Sequence, residues 1–305
     1  MRAVLEIGGT HVTAALVDPP RGRVSRRIRR PLDARGDAER VLGAIVRCAG
    51  ELRAPAGQVW VVAVPGPFDH ENGIARFRGV GKFDDLYGID VRSVLIDGVW
   101  PRPADVVFVN DAHAFALGEW SRGAAVGHRR CVGITLGTGV GSAFLADGAV
   151  HREGPGVPPG GRVDLLRWAG APLEHFVSRR AILARYGARD GSRDGLRGGS
   201  RDGSRDGDRG VDVRDIAARA RNGERWAAQV LDEALAALGT VLAPCVRDFG
   251  ASAVVVGGAV ALSWDLVGPA LSTGFGDTPV RPRRGTLGVD AALIGAAEYA
   301  GAAGR

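Results

Sequence analysis

Apolar and polar positions along the chain follow two rhythms. Residues 2–8 and 11–18 are short runs rich in Val, Leu and Ile, and read as strands joined by Gly8-Gly9-Thr10. Pro19-Pro20 and the basic stretch RGRVSRRIRR follow as a turn into a third, exposed strand. In DAERVLGAIVRCAGELRA the spacing changes, and Val41, Leu42, Ile45, Val46 and Leu52 share one helical face. QVWVVAVPGP is a continuous apolar run stopped by Pro-Gly-Pro, the pattern of a buried parallel strand. ADVVFVNDAHAFALGEW repeats it: an apolar strand, polar Asn110-Asp111, then an Ala-rich helix. RRCVGITLGTGVGSAFLADGAV then returns to strand, Gly-rich turn, strand. This second opening, far along the chain from the first, predicts two related α/β halves.

Helical patterns resume in PLEHFVSRRAILARYG and over 211–222 and 224–248. SAVVVGGAVALSWDLV reads as strand, Gly-Gly turn and helix start, and VDAALIGAAEYAG as a small-residue helix. Residues 189–210 are a degenerate Arg-Asp-Gly-Ser repeat whose one apolar residue is Leu196. Such a segment buries too little to offset its ordering entropy and is expected to be a flexible insertion. Its Arg and Asp charges nearly cancel, which argues against a nucleic-acid-binding tail.

A chain of 305 residues is too long for one small core and suggests two domains or one large α/β unit. No basic-then-apolar leader and no apolar run near the roughly 20 residues of a membrane span is evident, so a cytoplasmic protein without a membrane partner is expected. Cys48, Cys131 and Cys245 lie far apart with no CxxC spacing, as buried reduced thiols would. The net charge of +6 comes almost entirely from arginines, scattered or beside Asp. An anionic ligand is compatible with it but not required.

Chemistry concentrates in three Gly-rich turns: Gly8-Gly9-Thr10, Gly137-Thr138-Gly139 and Gly257-Gly258-Ala259. Each can aim main-chain amides at phosphate oxygens without side-chain obstruction, although the first also suits a plain hairpin. Asp111 stands where an apolar strand ends, the usual place for a functional group in a parallel sheet. It could equally cap the helix beginning at Ala112. No GxxxxGK[ST] or GxSxG run occurs, no GxGxxG follows a strand, and His11, His113 and His175 lack metal-ligand spacing.

EIGGTHVTAALVD, VAVPGPFD, FVNDAHAFALGE, ITLGTGVGSAFLADG, LEHFVSRRAI and VVVGGAVA together resemble the successive signatures of the ROK family of repressors and sugar kinases. The resemblance covers nearly the whole chain except 189–210. It implies an α/β, two-domain actin/hexokinase-like (ribonuclease H-like) fold with ATP and sugar in the cleft between domains. Residues 1–110, completed by a C-terminal helix over 290–305, would form the small domain, and 111–289 the large one. By the same resemblance Asp111 is the catalytic base, and Asn110, Glu174, Gly66 and Asp164 join it in holding substrate. Gly8, Gly9, Thr10, His11, Gly137, Thr138, Gly139, Gly257 and Gly258 would hold ATP. Glu6 stands where the family usually has Asp, and would reach Mg²⁺ indirectly.

The departures from the family pattern bear on substrate. Where the kinases usually carry Ala-Gly-Glu-x-Gly-His, this chain has PGGRVD, with Gly161 at the Glu position and Asp164 at the His position. The Cys-rich zinc loop is shortened to LLRWAGAP, so no structural zinc is expected. These features resemble the zinc-less actinobacterial cyclitol kinases, and imply a C7-cyclitol such as 2-epi-5-epi-valiolone as substrate. A glucokinase-like hexose kinase and an inactive sugar-binding regulator are the alternatives. A DNA-binding repressor would need a helix-turn-helix before the first strand, which here starts at residue 2. The expected partner is a small sugar-like molecule, not nucleic acid, and a homodimer is compatible with the reading.

Overall fold

The computed structural model describes residues 1–188 and 211–303, so the repeat at 189–210 lies outside the described residues. The chain divides into two compact units. One comprises Met1–His128, Gly148–Val150 and Gly285–Arg305, the other Arg129–Asp147 and His151–Arg284.

The first unit contains strands β1 (Arg2–Ile7), β2 (His11–Asp18) and β3 (Arg23–Pro31), then helix α1 (Ala38–Leu52) and strand β4 (Val59–Val64). A small hairpin, β5 (Phe68–Asp69) and β6 (Ile74–Ala75), precedes helix α2 (Val91–Gly98), strand β7 (Asp105–Asn110) and helix α3 (Asp111–Arg122). The sheet order is β3-β2-β1-β4-β7, with β1–β2–β3 antiparallel and β1, β4 and β7 parallel. Alternation along β1 decides what each face packs against. Ala3, Leu5 and Ile7 join Val41, Ile45 and Leu52 of α1, whereas Val4 joins Val61, Ala63, Leu293 and Ala297. Asp37 caps α1 by accepting from the Arg40 N–H at 2.9 Å. On β3 the arginines face outward, which suits an edge strand that must not recruit another.

Helix α3 belongs to this first unit, whereas the sequence reading placed 111 onward in the second domain. The reason is the C-terminal helix, Ala291–Ala303. A Cβ on Gly295 would coincide with the Ala114 carbonyl, so the two helices touch backbone to backbone. That small-residue contact is legible only once both helices are placed.

The second sheet contains β8 (Arg130–Leu136), β9 (Val140–Ala146) and β10 (Ala149–His151). A two-residue ladder, β11 (Arg167–Trp168) with β12 (Ala171–Pro172), leads into helices α4 (Glu174–Val177) and α5 (Arg179–Gly187). Helices α6 (Val213–Arg221) and α7 (Arg225–Phe249), strand β13 (Ala253–Gly257), helix α8 (Trp264–Phe275) and strand β14 (Pro282–Arg284) follow. The order β10-β9-β8-β13-β14 repeats the first sheet's plan of an antiparallel hairpin beside two parallel strands. The repeated opening in the sequence is therefore a repeated sheet. Helix α7 is long and apolar enough to cross a membrane by length and composition, although Asp232, Glu233, Arg247 and Asp248 interrupt its apolar run. Its Leu231, Leu235, Leu238, Leu242 and Val246 are buried in this unit's core.

Candidate functional site

Candidate residues fall in both units. In the first, β1 and β2 meet at Gly8-Gly9-Thr10, closed by the Gly8 N–H donating to the His11 carbonyl at 2.9 Å. The Leu32 N–H pins the turn by donating to the Thr10 carbonyl, also at 2.9 Å. Thr10 Oγ1 and His11 Nδ1 are 3.1 Å apart. Burial, then the neighbouring Arg29, holds the His11 imidazole below its ordinary pKa.

Sheet register places the acids. Glu6 pairs with Thr13 on β2 and Ala63 on β4; Thr13 pairs with Arg29, and Ala63 with Val109. One cross-sheet row therefore runs Arg29, Thr13, Glu6, Ala63, Val109, and Asp111 begins α3 two residues beyond it. Burial first, and the Asp111 carboxylate second, push Glu6 up to about 7, against Arg29 and Arg27. Burial also raises Asp111, opposed first by Lys82 and then by the Ala112 N–H and His70.

The ambiguity over Asp111 resolves in favour of its neighbour as cap. Asn110 is the α3 N-cap, its Oδ1 accepting from the Ala112 and His113 amides at 3.0 and 3.3 Å. Asp111 stands at the first helical position, and its Oδ1 also accepts from the Ala112 N–H at 2.9 Å. Among the described residues its second oxygen has no hydrogen-bond partner. Gly66 follows β4, and a Cβ built on it meets nothing within 4 Å. Beyond it, His70 Nε2 lies 3.1 Å from the Val64 carbonyl.

In the second unit, the Gly137 N–H donates to the Gly139 carbonyl at 3.0 Å and closes the turn between β8 and β9. The Arg179 N–H, at the start of α5, donates to the Gly137 carbonyl at 3.1 Å. Thr138 is exposed at the tip. Glu174 Oε1 lies against Gly139, where a side chain would intrude. Register aligns Gly257 with Thr135, so Gly257-Gly258 ends its strand beside this turn. Gly258 has φ +87°, and a Cβ there would strike the Leu136 backbone.

Asp164 differs from its expected role. It is 4% exposed, and Arg162 takes both oxygens, Nε to Oδ1 at 2.7 Å and Nη2 to Oδ2. The carboxylate is engaged by its own chain rather than open. Arg162 also feels the Glu174 charge. Gly161, at φ +71°, adopts a backbone unfavourable to the Glu that the family usually has there. Ser142 Oγ braces this turn, donating to the Gly161 carbonyl at 2.5 Å and accepting from the Val163 N–H at 3.1 Å.

Sequence reasoning missed Lys82, His70, Arg29 and Arg162. Arg29 becomes visible only with the strand register. Lys82 carried a signal that went untraced: it is the sole lysine of the chain. Among the described residues no three or more His, Cys, Asp or Glu side chains gather as a metal cage requires.

Several known proteins are similar to this chain. The glucokinase of Thermotoga maritima is 28% identical over 276 residues, 86% of this chain and 83% of that one. A ROK family glucokinase from Streptomyces griseus, solved with glucose and AMPPNP, superposes with a TM-score of 0.75 at 25% identity, covering 98% of both chains. A ROK hexokinase from Thermus thermophilus superposes with a TM-score of 0.73 at 25% identity, covering 100% of this chain and 99% of that one. Residues 2–302 match the model of the ROK family. With two mixed five-stranded sheets of the same plan and this end-to-end match, the chain belongs to the ROK family.

Proposed function

We propose that the protein is an ATP-dependent kinase that phosphorylates a hydroxyl of a hexose-type sugar. The observation that carries this reading is Asp111. It is a desolvated carboxylate at the end of a parallel strand, with one oxygen unpartnered among the described residues, in the same unit as the Gly8–Thr10 turn. The similarity to glucokinases, one of them holding glucose and AMPPNP, supports it.

In this reading Asp111 accepts the proton of the sugar hydroxyl as that oxygen bonds to the γ-phosphorus of ATP. The bond from phosphorus to the β–γ bridging oxygen breaks, and ADP departs with the electron pair. Asn110 spends its Oδ1 on capping α3, which fixes the start of the helix and leaves Nδ2 to donate to a sugar oxygen. In the second unit Glu174 is suited to accept from sugar hydroxyls, and the amides of each unit's own turn, Gly8–Thr10 in the first and Gly137–Gly139 in the second, are suited to phosphate oxygens.

The residues fit Mg²⁺. The ion takes one or two carboxylates, several waters and substrate phosphates rather than a protein cage. Glu6 beside Asp111 supplies that kind of environment. When bound, Mg²⁺ neutralises charge on the β- and γ-phosphates. Glu6 would hold it through its water shell, as the longer counterpart of the usual Asp.

The relatives above act on hexoses by name, and on that ground hexose is preferred to the C7-cyclitol expected from Gly161 and Asp164. The Arg162–Asp164 pair also bears on the cyclitol argument, because both oxygens of the carboxylate that the sequence reading offered to substrate are taken by Arg162. ATP consumption measured over glucose, mannose, N-acylhexosamines and 2-epi-5-epi-valiolone tests the reading. A hexose should give the highest kcat/KM. A higher value for the cyclitol would restore the other substrate, and sugar binding without turnover would indicate a regulator.

A further inference from the structure

The chain contains one lysine, Lys82, against 39 arginines. Arginine serves every surface ion pair described, from Arg21–Asp18 to Arg247–Asp248. The exception stands at a specific place. The two cations are not interchangeable: guanidinium is a planar fork, ammonium a compact point charge with three rotatable donors.

The loop that presents Lys82 is held on several sides. Gly79 and Gly81 lie at φ +67° and +75°, and Phe83 at φ +60°, a region that a bulky side chain rarely occupies. Asp84 accepts from the Val80 and Gly81 amides at 3.0 and 2.9 Å. The Phe83 N–H donates to the Ala34 carbonyl at 2.6 Å, while its buried ring packs on Phe77 at 5.1 Å. Phe83 is thus the anchor, and its strained backbone turns the preceding residue out of the core.

Two observations fix where Lys82 goes. Its Cδ lies 3.8 Å from the position of a Cβ on Gly9, inside the first glycine turn. Its charge is also the strongest favourable electrostatic influence on Asp111. Lys82 is partly buried and makes no hydrogen bond or ion pair among the described residues. An ammonium between a phosphate-type turn and a desolvated carboxylate, bonded to neither, has donors to spare for a third group.

We propose that Lys82 is a catalytic residue that grips the phosphoryl group during its transfer. The inference rests on the kinase reading above. Lys82 donates N–H hydrogen bonds to non-bridging oxygens of the γ-phosphate and stays protonated throughout. Asp111 takes the hydroxyl proton, the new O–P bond forms, and the electron pair of the broken bond leaves with ADP. Charge spread over the equatorial oxygens at that moment meets a cation carried beside the Gly9 turn and Asp111.

The groups facing Asp111 are Glu6 on β1, Lys82 on its loop and His70 after β5. A residue that merely tuned Asp111 would act through the acid limb of the pH profile. Lys82→Met should instead lower kcat about 100-fold or more across the whole profile, with sugar KM within threefold and Lys82→Arg retaining more activity than Lys82→Met. Recovery of wild-type kcat at high pH, or a Lys82→Met plateau within threefold of wild type, would overturn the proposal. The sole lysine allows a readout independent of turnover. Reductive ¹³C-methylation labels Lys82 and the N-terminal amine, and Lys82→Arg identifies the side-chain signal. That signal should shift saturably as AMPPNP and Mg²⁺ are added. No shift when calorimetry shows the nucleotide bound would also refute it. If wild type phosphorylates no sugar, the kinase reading fails separately, and the methyl titration still decides whether Lys82 meets nucleotide phosphates.

Discussion

Glu119 Oε1 accepts a hydrogen bond from the Leu287 main-chain N–H at 2.9 Å, joining residues 168 positions apart. Its other oxygen accepts from the Thr286 amide at 3.0 Å and the Ala124 amide at 2.8 Å. The carboxylate, 1% exposed, thereby ties the last turn of α3 to the segment entering the C-terminal helix. Asp111 stands at the other end of the same α3. Glu119→Ala removes the acceptor of the Ala124, Thr286 and Leu287 amides, and a desolvated orphan costs about 1–3 kcal/mol, less where water reaches it, as at exposed Thr286. A loss of about 2–3 kcal/mol is expected by denaturant unfolding, with Glu119→Gln milder. A loss below about 1 kcal/mol would mean that the tie is replaced by water.

Asp111→Asn keeps the helix start, because Asn110 supplies the cap. Folding and nucleotide affinity should therefore be retained while kcat falls about 10²–10⁴-fold, the usual range for a lost general base. Near-full turnover in the variant would remove Asp111 from the chemistry.

Much of this fold was legible because the hydrophobic rhythm is strong where the sheets are. β1, β4, β7, β8 and β13 are nearly unbroken apolar runs, and Asn110-Asp111 marks a strand end by its polarity alone. The stretch between Gly66 and Ala104 was not legible. Its β5–β6 hairpin and α2 are too short to set a period, and Phe83 adopts a backbone that no propensity favours. Lys82 sits in that stretch. Arg29 beside Glu6 required the register of two strand pairs, and the Arg162–Asp164 pair depends on a tight turn linking residues two apart.

Glu6 gives stability a specific pH dependence. A carboxyl whose folded pKa is raised binds its proton more readily in the fold than unfolded. Its penalty is therefore absent below its ordinary value of 4.5 and grows as pH rises toward about 7. The full displacement corresponds to at most about 3 kcal/mol. In metal-free buffer, Glu6→Gln should match wild type near pH 4.5 and exceed it progressively up to pH 7, with the gap constant above. Asp111, raised in the same direction, leaves a residual slope in the variant. Parallel stability curves over that window would show that Glu6 ionises normally.

The last prediction separates two roles for Asp164. The sequence placed it among the substrate ligands, whereas its oxygens are both bonded to Arg162, whose charge also meets Glu174. If Asp164 acts by aiming Arg162, its removal lets the guanidinium swing onto Glu174 and withdraw that carboxylate from the sugar. Asp164→Asn keeps one acceptor but turns an amide toward the remaining guanidinium N–H. It should raise sugar KM about tenfold, or ~1.4 kcal/mol, and leave nucleotide KM unchanged. Arg162→Met should do the same, and the double variant should be no worse than the more impaired single one, because residues acting through one contact do not add. Steady-state kinetics of the three variants decide it. Multiplication of the two single effects would mean that Asp164 touches the sugar independently, and would return it to the place the sequence first gave it.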